Sequence, residues 1–256
     1  MSGQNRKVRL FVEEALTADA TLSLSGGQAN YLVNVMRMRP GDSLLLFNGR
    51  DGEWQARLDH ARKQACRVHI TRQIRPQRAE SGPWLLFAPI KKTGVDFIAE
   101  KATELGASRL WPVFTQNTAA GRVNLERLRA RAIEAAEQCE RLTVPDVDSP
   151  LHLDALAGRW SPGRPLLVLD ARGDGTPIAN TLAEIGRPAL PPGILVGPEG
   201  GLTKSELEAL GRQPFVNRVS LGPRILRAET AALAALACWQ ALAGDWVEVA
   251  PLGDGS

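Results

Sequence analysis

Tyrosine occurs once in the 256 residues, and aromatic residues make up only 5% of the chain. Cysteine and histidine are limited to three each. Cys66, Cys139 and Cys238 lie far apart and show no CxxC spacing, which argues against a disulfide framework or a zinc ribbon. They read as small buried residues of a chain kept in a reducing compartment, and the expected location is the cytoplasm. His60, His69 and His152 are scattered without ligand spacing, so no metal is expected. No apolar run approaches the ~18 residues that a membrane span needs, so no membrane partner is expected. The opening MSGQNRKVRLF carries charge without the apolar centre of a secretory signal.

The totals that remain are those of a globular protein: 44% hydrophobic and 23% charged residues. The length suits two modest domains or one large one. Net charge is +3, but it is unevenly spread. Residues 1–80 hold 13 Lys and Arg against 8 Asp and Glu, whereas residues 81–256 hold 18 against 20. A basic first third suits a polyanionic partner, and equally a solvated charged face.

The pattern changes along the chain. SLLLF (43–47), EWQARL (53–58) and ACRVHIT (65–71) are short apolar or alternating runs. Pro40-Gly41, Asn48-Gly49 and Asp51-Gly52 punctuate them as turns. A helix is expected over 27–38, where Tyr31, Leu32, Val35, Met36 and Met38 recur near helical spacing. Strands this short and close predict a small barrel. The polar stretch 72–83 contains two prolines and reads as linker. The expected organisation is therefore a domain over 1–74, a linker over 75–83 and a second domain over 84–250.

In the second domain strands alternate with helices. Strands are expected over 84–90, 109–114, 165–170, 193–197 and 215–222, and helices over 96–107, 124–142 and 228–243. Asn124 is placed to cap the middle helix. Thr176-Pro177 looks like an N-cap followed by proline at the first helical position. The alternation implies a parallel α/β sheet covered on both faces.

Two stretches carry the chemistry. ILVGPEGGLTKSE (194–206) is a strand that stops at a glycine loop. Gly197, Gly200 and Gly201 let a ligand approach the backbone, and Thr203–Glu206 fits a capping box that starts a helix. The spacing is not that of a phosphate loop, and Glu199 would repel phosphate. A carboxylate there suits a cationic or hydrogen-bond-donating ligand, or simply caps a tight turn. In SLGPRILRAETAAL (220–233), Gly222-Pro223 ends a second strand. Arg224 and Arg227 sit in its turn, and Glu229-Thr230 open an alanine-rich helix. Two Gly-Pro loops after neighbouring strands are placed to wall one pocket.

Together, LVGPEGGLTKSE (195–206) and LGPRILRAETAALAAL (221–236) resemble the RsmE family of 16S rRNA (uracil-N3)-methyltransferases, in the SPOUT class. Weaker echoes are EKATELGASRLWPVFTQ (100–116), EQCER (137–141) with the following VP, and VMRMRPGDSLLLFNG (35–49). The likeness spans nearly the whole chain. It implies a PUA-like β-barrel that helps bind RNA, then a parallel α/β domain with a C-terminal trefoil knot, working as a homodimer. Where the resemblance suggests histidine in the first-domain helix, this chain has Tyr31.

The resemblance also implies S-adenosylmethionine as methyl donor, held by three loops. The first would contribute Leu169 and Asp170. The second would contribute Val196, Gly197, Glu199, Gly200 and Gly201. The third would contribute Leu221, Gly222, Ile225, Leu226, Ala228 and Thr230. Arg227, and behind it Arg224, would stabilise negative charge on uracil. Glu229 would take the proton or hold Arg227. RNA would be gripped by Arg9, Arg37, Arg39, Lys91 and Lys92. The partner implied is 16S rRNA or the small ribosomal subunit. Two other readings stay open: a SPOUT enzyme acting on another RNA or on a ribose hydroxyl, and an RNA-binding homologue without catalysis.

Overall fold

The structure is a computed structural model that describes residues 8–62, 65–90, 92–161 and 163–247. It divides into two compact units. One comprises residues 1–80 with 136–144, and the other 81–135 with 145–256.

The first unit is built on five strands: β1 Arg9–Phe11, β2 Thr21–Ser25, β3 Ser43–Phe47, β4 Glu53–Arg62 and β5 Ala65–Arg75. They lie in the order β1-β3-β4-β5-β2. Only β1 and β3 run parallel. The short helix α1, Gly26–Asn30, leads into a π-helical turn over Tyr31–Val35. The single helix expected over 27–38 is thus broken: after α1 the backbone widens by one residue per turn, and Met36 donates to Tyr31 O at 2.9 Å. β5 also runs four residues into the expected linker, because Arg72 and Arg75 pair with Gln55 and Glu53 across the hairpin. Leu22, Leu24, Leu44, Leu46, Leu58, Val68 and Ile70 alternate inward to form the core.

A buried ionic knot ties this unit together. Glu53 accepts from Arg9 and, at 2.9 Å, from both Nε and Nη2 of Arg75, through its two oxygens. Arg9 also donates to the carbonyls of Ala136 and Arg141 and stacks over Phe47. Residues 136–144 belong here because Glu80 accepts from Leu142 N at 3.0 Å and from the Thr143 hydroxyl at 2.6 Å.

The second unit holds β6 Trp84–Phe87, α2 Lys92–Glu104, β7 Arg109–Phe114, α3 Leu125–Cys139, β8 Asp146–Val147, β9 Leu151–His152, α4 Leu156–Arg159, β10 Leu166–Leu169, β11 Thr176–Pro177, α5 Ile178–Ile185, β12 Gly193–Val196, α6 Lys204–Gly211, β13 Val216–Ser220 and α7 Ala228–Leu242. The last four residues of α3 fall in the first unit. Every pairing in this sheet is parallel, in the order β11-β13-β10-β12-β6-β7-β8, with β9 beside the far end of β7. β12 is buried throughout and β10 over its first three residues, as strands covered on both faces must be.

Asn124 caps α3, its Oδ1 accepting from Arg127 N at 2.9 Å. The helix stops at Cys139, short of 142, because Glu140 takes a φ of 63°. Thr176-Pro177 is not a helix start. It is a two-residue strand paired with Val219 and Ser220, so Pro177 stands at the N-cap and Ile178 begins α5. Residues 248–250 of the expected second domain lie outside the described residues.

Candidate active site

β13, β10 and β12 are neighbours in the sheet, so the three loops after them emerge side by side. In open parallel sheets this carboxyl edge is where ligands bind. Here the loops surround a cavity of about 480 Å³.

Each loop is held by identifiable bonds. After β10, Asp170 is buried and its carboxylate accepts from Arg218 of β13 and, at 2.9 Å, from Arg172 N. Its amide donates to Val219 O at 2.9 Å. Burial opposes the Asp170 charge, but the Arg218 guanidinium and the Arg172 amide outweigh it and hold the carboxyl below its ordinary range. The side chain of Asp170 is therefore committed to the scaffold, which narrows its expected cofactor role to its backbone and position. Arg172 crosses to the second loop, reaching Leu202 O at 3.3 Å.

After β12, Gly201 adopts a φ of 68°, closing a turn in which its amide donates to Pro198 O at 2.8 Å. The capping box is complete: Thr203 caps Glu206 N, and Glu206 accepts from Thr203 N at 2.8 Å. Glu206 also accepts from Gln116 N at 2.8 Å, and Asn117 donates to Gly200 O and Gly201 O. A turn after β7 thus grips the glycine loop.

After β13, Gly222 takes a φ of 102° and lets the chain reverse. Arg227 is the N-cap residue of α7 in extended conformation, without a side-chain cap. The first amides of that helix have no capping side chain.

Leu169, Asp170, Val196, Gly197, Glu199, Gly200 and Gly201 line the cavity, as do Leu221, Gly222, Ile225, Leu226 and Ala228. Arg224 and Arg227 border it and are exposed, with no ion pair among the described residues. Thr230 and Glu229 do not line it. Glu229 makes no ion pair with Arg227 among the described residues, so no contact has it hold Arg227 in place. Sequence reasoning missed Leu202, Leu207, Val219 and Ala231 in the lining, and Arg218, Gln116 and Asn117 behind it. Among the described residues no three His, Cys, Asp or Glu side chains gather as a metal site.

The RNA-contact candidates separate. Arg9 is 7% exposed, and its guanidinium is consumed by Glu53 and two carbonyls, so it is a structural arginine and not an RNA grip. Arg37 and Arg39 are exposed. Lys91 lies outside the described residues, and Lys92 is placed only as the first residue of α2.

Comparison with known proteins gives this geometry its family. An RNA methyltransferase domain family matches residues 80–240, and an RNA methyltransferase PUA domain family matches residues 24–71. Ribosomal RNA small subunit methyltransferase E of Rickettsia conorii is 31% identical over 94% of this chain and 98% of its own. The chain belongs to this methyltransferase E family.

The Synechocystis member of the family is 34% identical, covering 91% of this chain and 77% of that protein. The Neisseria gonorrhoeae member, solved bound to S-adenosyl methionine, superposes with a TM-score of 0.85 at 28% identity, covering 94% of this chain and all of that one. A Legionella pneumophila protein, also solved with bound cofactor, gives 0.80 at 27% identity, covering 92% and 98%. The fold is accordingly a PUA-like β domain followed by a SPOUT-type parallel α/β domain.

Proposed function

We propose that the protein transfers a methyl group from S-adenosylmethionine to N3 of a uridine in 16S rRNA. The observation that carries this is the three-loop cavity, in a chain whose methyltransferase E relatives include one solved with that donor in place.

The residues present fit the donor. The cavity has a size ordinary for a small-molecule site. Its glycines carry no side chain to hold a ligand off the backbone, and Leu221, Ile225 and Leu226 offer apolar wall. Exposed Glu199 supplies negative charge suited to a sulfonium or ammonium, whereas a phosphate would be repelled. The bound donor supplies an electrophilic methyl on a positively charged sulfur.

The chain's own groups do the rest. The loops fix the position of the ligand, which converts a bimolecular encounter into an oriented one. Arg227, and Arg224 beside it, would offer guanidinium donors to the charge on the uracil oxygens as the N3 proton passes to water in the open cavity and the methyl leaves a sulfur that keeps the bonding pair as S-adenosylhomocysteine. A base must leave its stack to reach such a cavity. Exposed Arg37 and Arg39 support RNA binding by the first domain.

Three further features belong to this reading. The family reading brings the C-terminal trefoil knot with it, and the sheet order, with β13 on the far side of β10 from β12, is compatible with one. A homodimer is supported by the small face of α7, of which Ala231, Ala234 and Cys238 are part exposed and Ala235 is buried within the chain. Action on ribosomal RNA would suit a cytoplasmic location. No helix among the described residues is long and apolar enough to cross a membrane.

Incubation with labelled S-adenosylmethionine and either naked 16S rRNA or small subunits, followed by nucleoside mapping, tests the proposal. Label at uridine N3 is expected. Label on ribose, or none on either substrate, overturns it.

A further inference from the structure

The second unit contains another cavity, of about 350 Å³. Helix α6 presents Glu206, Ala209 and Leu210 to it, at i, i+3 and i+4 along one helix face, and Gln213 follows at i+7. Leu207 of the same helix lines the first cavity, and no residue lines both. The rest of the wall comes from the end of β7, from β9 and the turn after it, and from Phe215 just before β13. Three rings take part. Phe114 lies beside His152 with centroids 5.7 Å apart, and Phe215 stacks on buried Trp160 at 5.8 Å. Leu153, Leu156 and Leu210 are buried apolar wall.

The lining decides what can enter. It contains no lysine or arginine, and its charged residues, Asp154 and Glu206, are both acids. A phosphate or carboxylate would meet like charge. Aromatic and aliphatic side chains suit a flat apolar ring. The Glu206 carboxylate is already occupied by the amides of Gln116 and Thr203, each at 2.8 Å. The side-chain amides of Gln116 and Gln213 have no hydrogen-bond partner among the described residues, since only the backbone N–H of each is engaged. A carboxamide offers a donor and an acceptor side by side, the pairing that reads N6 and N7 of adenine. The volume is near the lower end for small-molecule sites, which suits a base or nucleoside.

We propose that this second cavity binds free adenine or its uncharged nucleoside. The ring lies against Phe114, His152 and Phe215, and the two glutamine amides meet its polar edge. An adenine still joined to RNA would bring phosphates towards Asp154 and Glu206, so the occupant is a free small molecule. The site is distinct from the methyl-donor cavity and does not depend on the proposed methyl transfer.

The test is calorimetric titration of the full-length protein with adenosine, with S-adenosylmethionine present at saturation so that the first cavity is filled. One adenosine per chain is expected, saturating below about 1 mM. Adenosine 5′-monophosphate should bind at least ~10-fold more weakly. Ala209 is exposed on α6, and Ala209→Trp would fill the cavity from that helix. It should weaken adenosine at least ~10-fold and leave S-adenosylmethionine affinity at the wild-type value. Gln213→Leu removes one amide at little change in volume and should weaken adenosine about 3–10-fold. It carries the test if Ala209→Trp melts early. No adenosine binding in wild type, or wild-type affinity in both folded variants, overturns the proposal. So does binding of an adenine-containing oligonucleotide without binding of adenosine, which would make the cavity an RNA contact. If S-adenosylmethionine itself fails to bind, the proposed function falls, and adenosine binding that Ala209→Trp abolishes leaves this site standing.

Discussion

The side-chain amide of Asn117 bridges two carbonyls of the glycine loop, reaching Gly200 O at 3.2 Å and Gly201 O at 2.9 Å. The residues are more than eighty positions apart, and the contact sets where one wall of the cavity stands. Asn117→Ala removes both bonds and leaves the fold's core untouched. With each net bond worth about 0.5–1.5 kcal/mol, donor affinity should fall about tenfold. Isothermal titration with S-adenosylmethionine checks this, and wild-type affinity in the variant would remove Asn117 from the account.

The capping box should matter unequally. Thr203→Ala removes an ordinary cap and should cost about 1 kcal/mol. Glu206→Ala strands the amides of Thr203 and Gln116 together, in a site where Glu206 is 9% exposed, and should cost about 2–4 kcal/mol. Urea denaturation of both variants gives the comparison, and a larger loss for Thr203→Ala would contradict it.

Glu53 makes stability depend on acid. Burial works against its charge, but Arg75 and Arg9 outweigh it and hold the carboxyl below its ordinary value of 4.5. The folded state therefore gains its full contribution above about pH 4.5 and loses it as pH falls through the lower folded value. Glu53→Gln should lower stability at neutral pH by about 3–5 kcal/mol and flatten the acid limb of the stability curve. Equal acid limbs in variant and wild type would show that another carboxylate governs it.

Gly175 lies where the loop after β10 meets β13. A Cβ there would stand 2.6 Å from the Val219 carbonyl carbon and 2.9 Å from Ser220 N, both backbone. Gly175→Ala should cost about 1–3 kcal/mol and weaken donor binding, since Val219 also lines the cavity. Thermal melts with and without cofactor test both parts.

Much of the site was legible because it is local. Thr203 and Glu206 announce their capping box at a fixed spacing, and Asn124 its cap. Gly200 and Gly201 mark a backbone-lined loop. What was not legible depends on distant partners. Arg9 counts as a positive charge in any sum, and only the fold reveals that Glu53, Ala136 and Arg141 consume it. Thr176-Pro177 has the letters of a helix start, but β13 recruits it as a strand. Asp170 reads as part of the first donor loop until Arg218 of β13 arrives beside its carboxylate. Asn117 sits in an unremarkable polar turn, and no periodicity points it at residue 200.

The central claim is that the three loops close around one molecule of S-adenosylmethionine per chain. The most direct measurement is calorimetric titration of wild type beside Ala231→Trp, whose new ring would fill the cavity from α7. The account predicts one site per chain in wild type and at least a ~10-fold weaker affinity in the variant, with the fold retained by circular dichroism. Absence of binding heat in wild type, or equal affinity in both proteins, would contradict it.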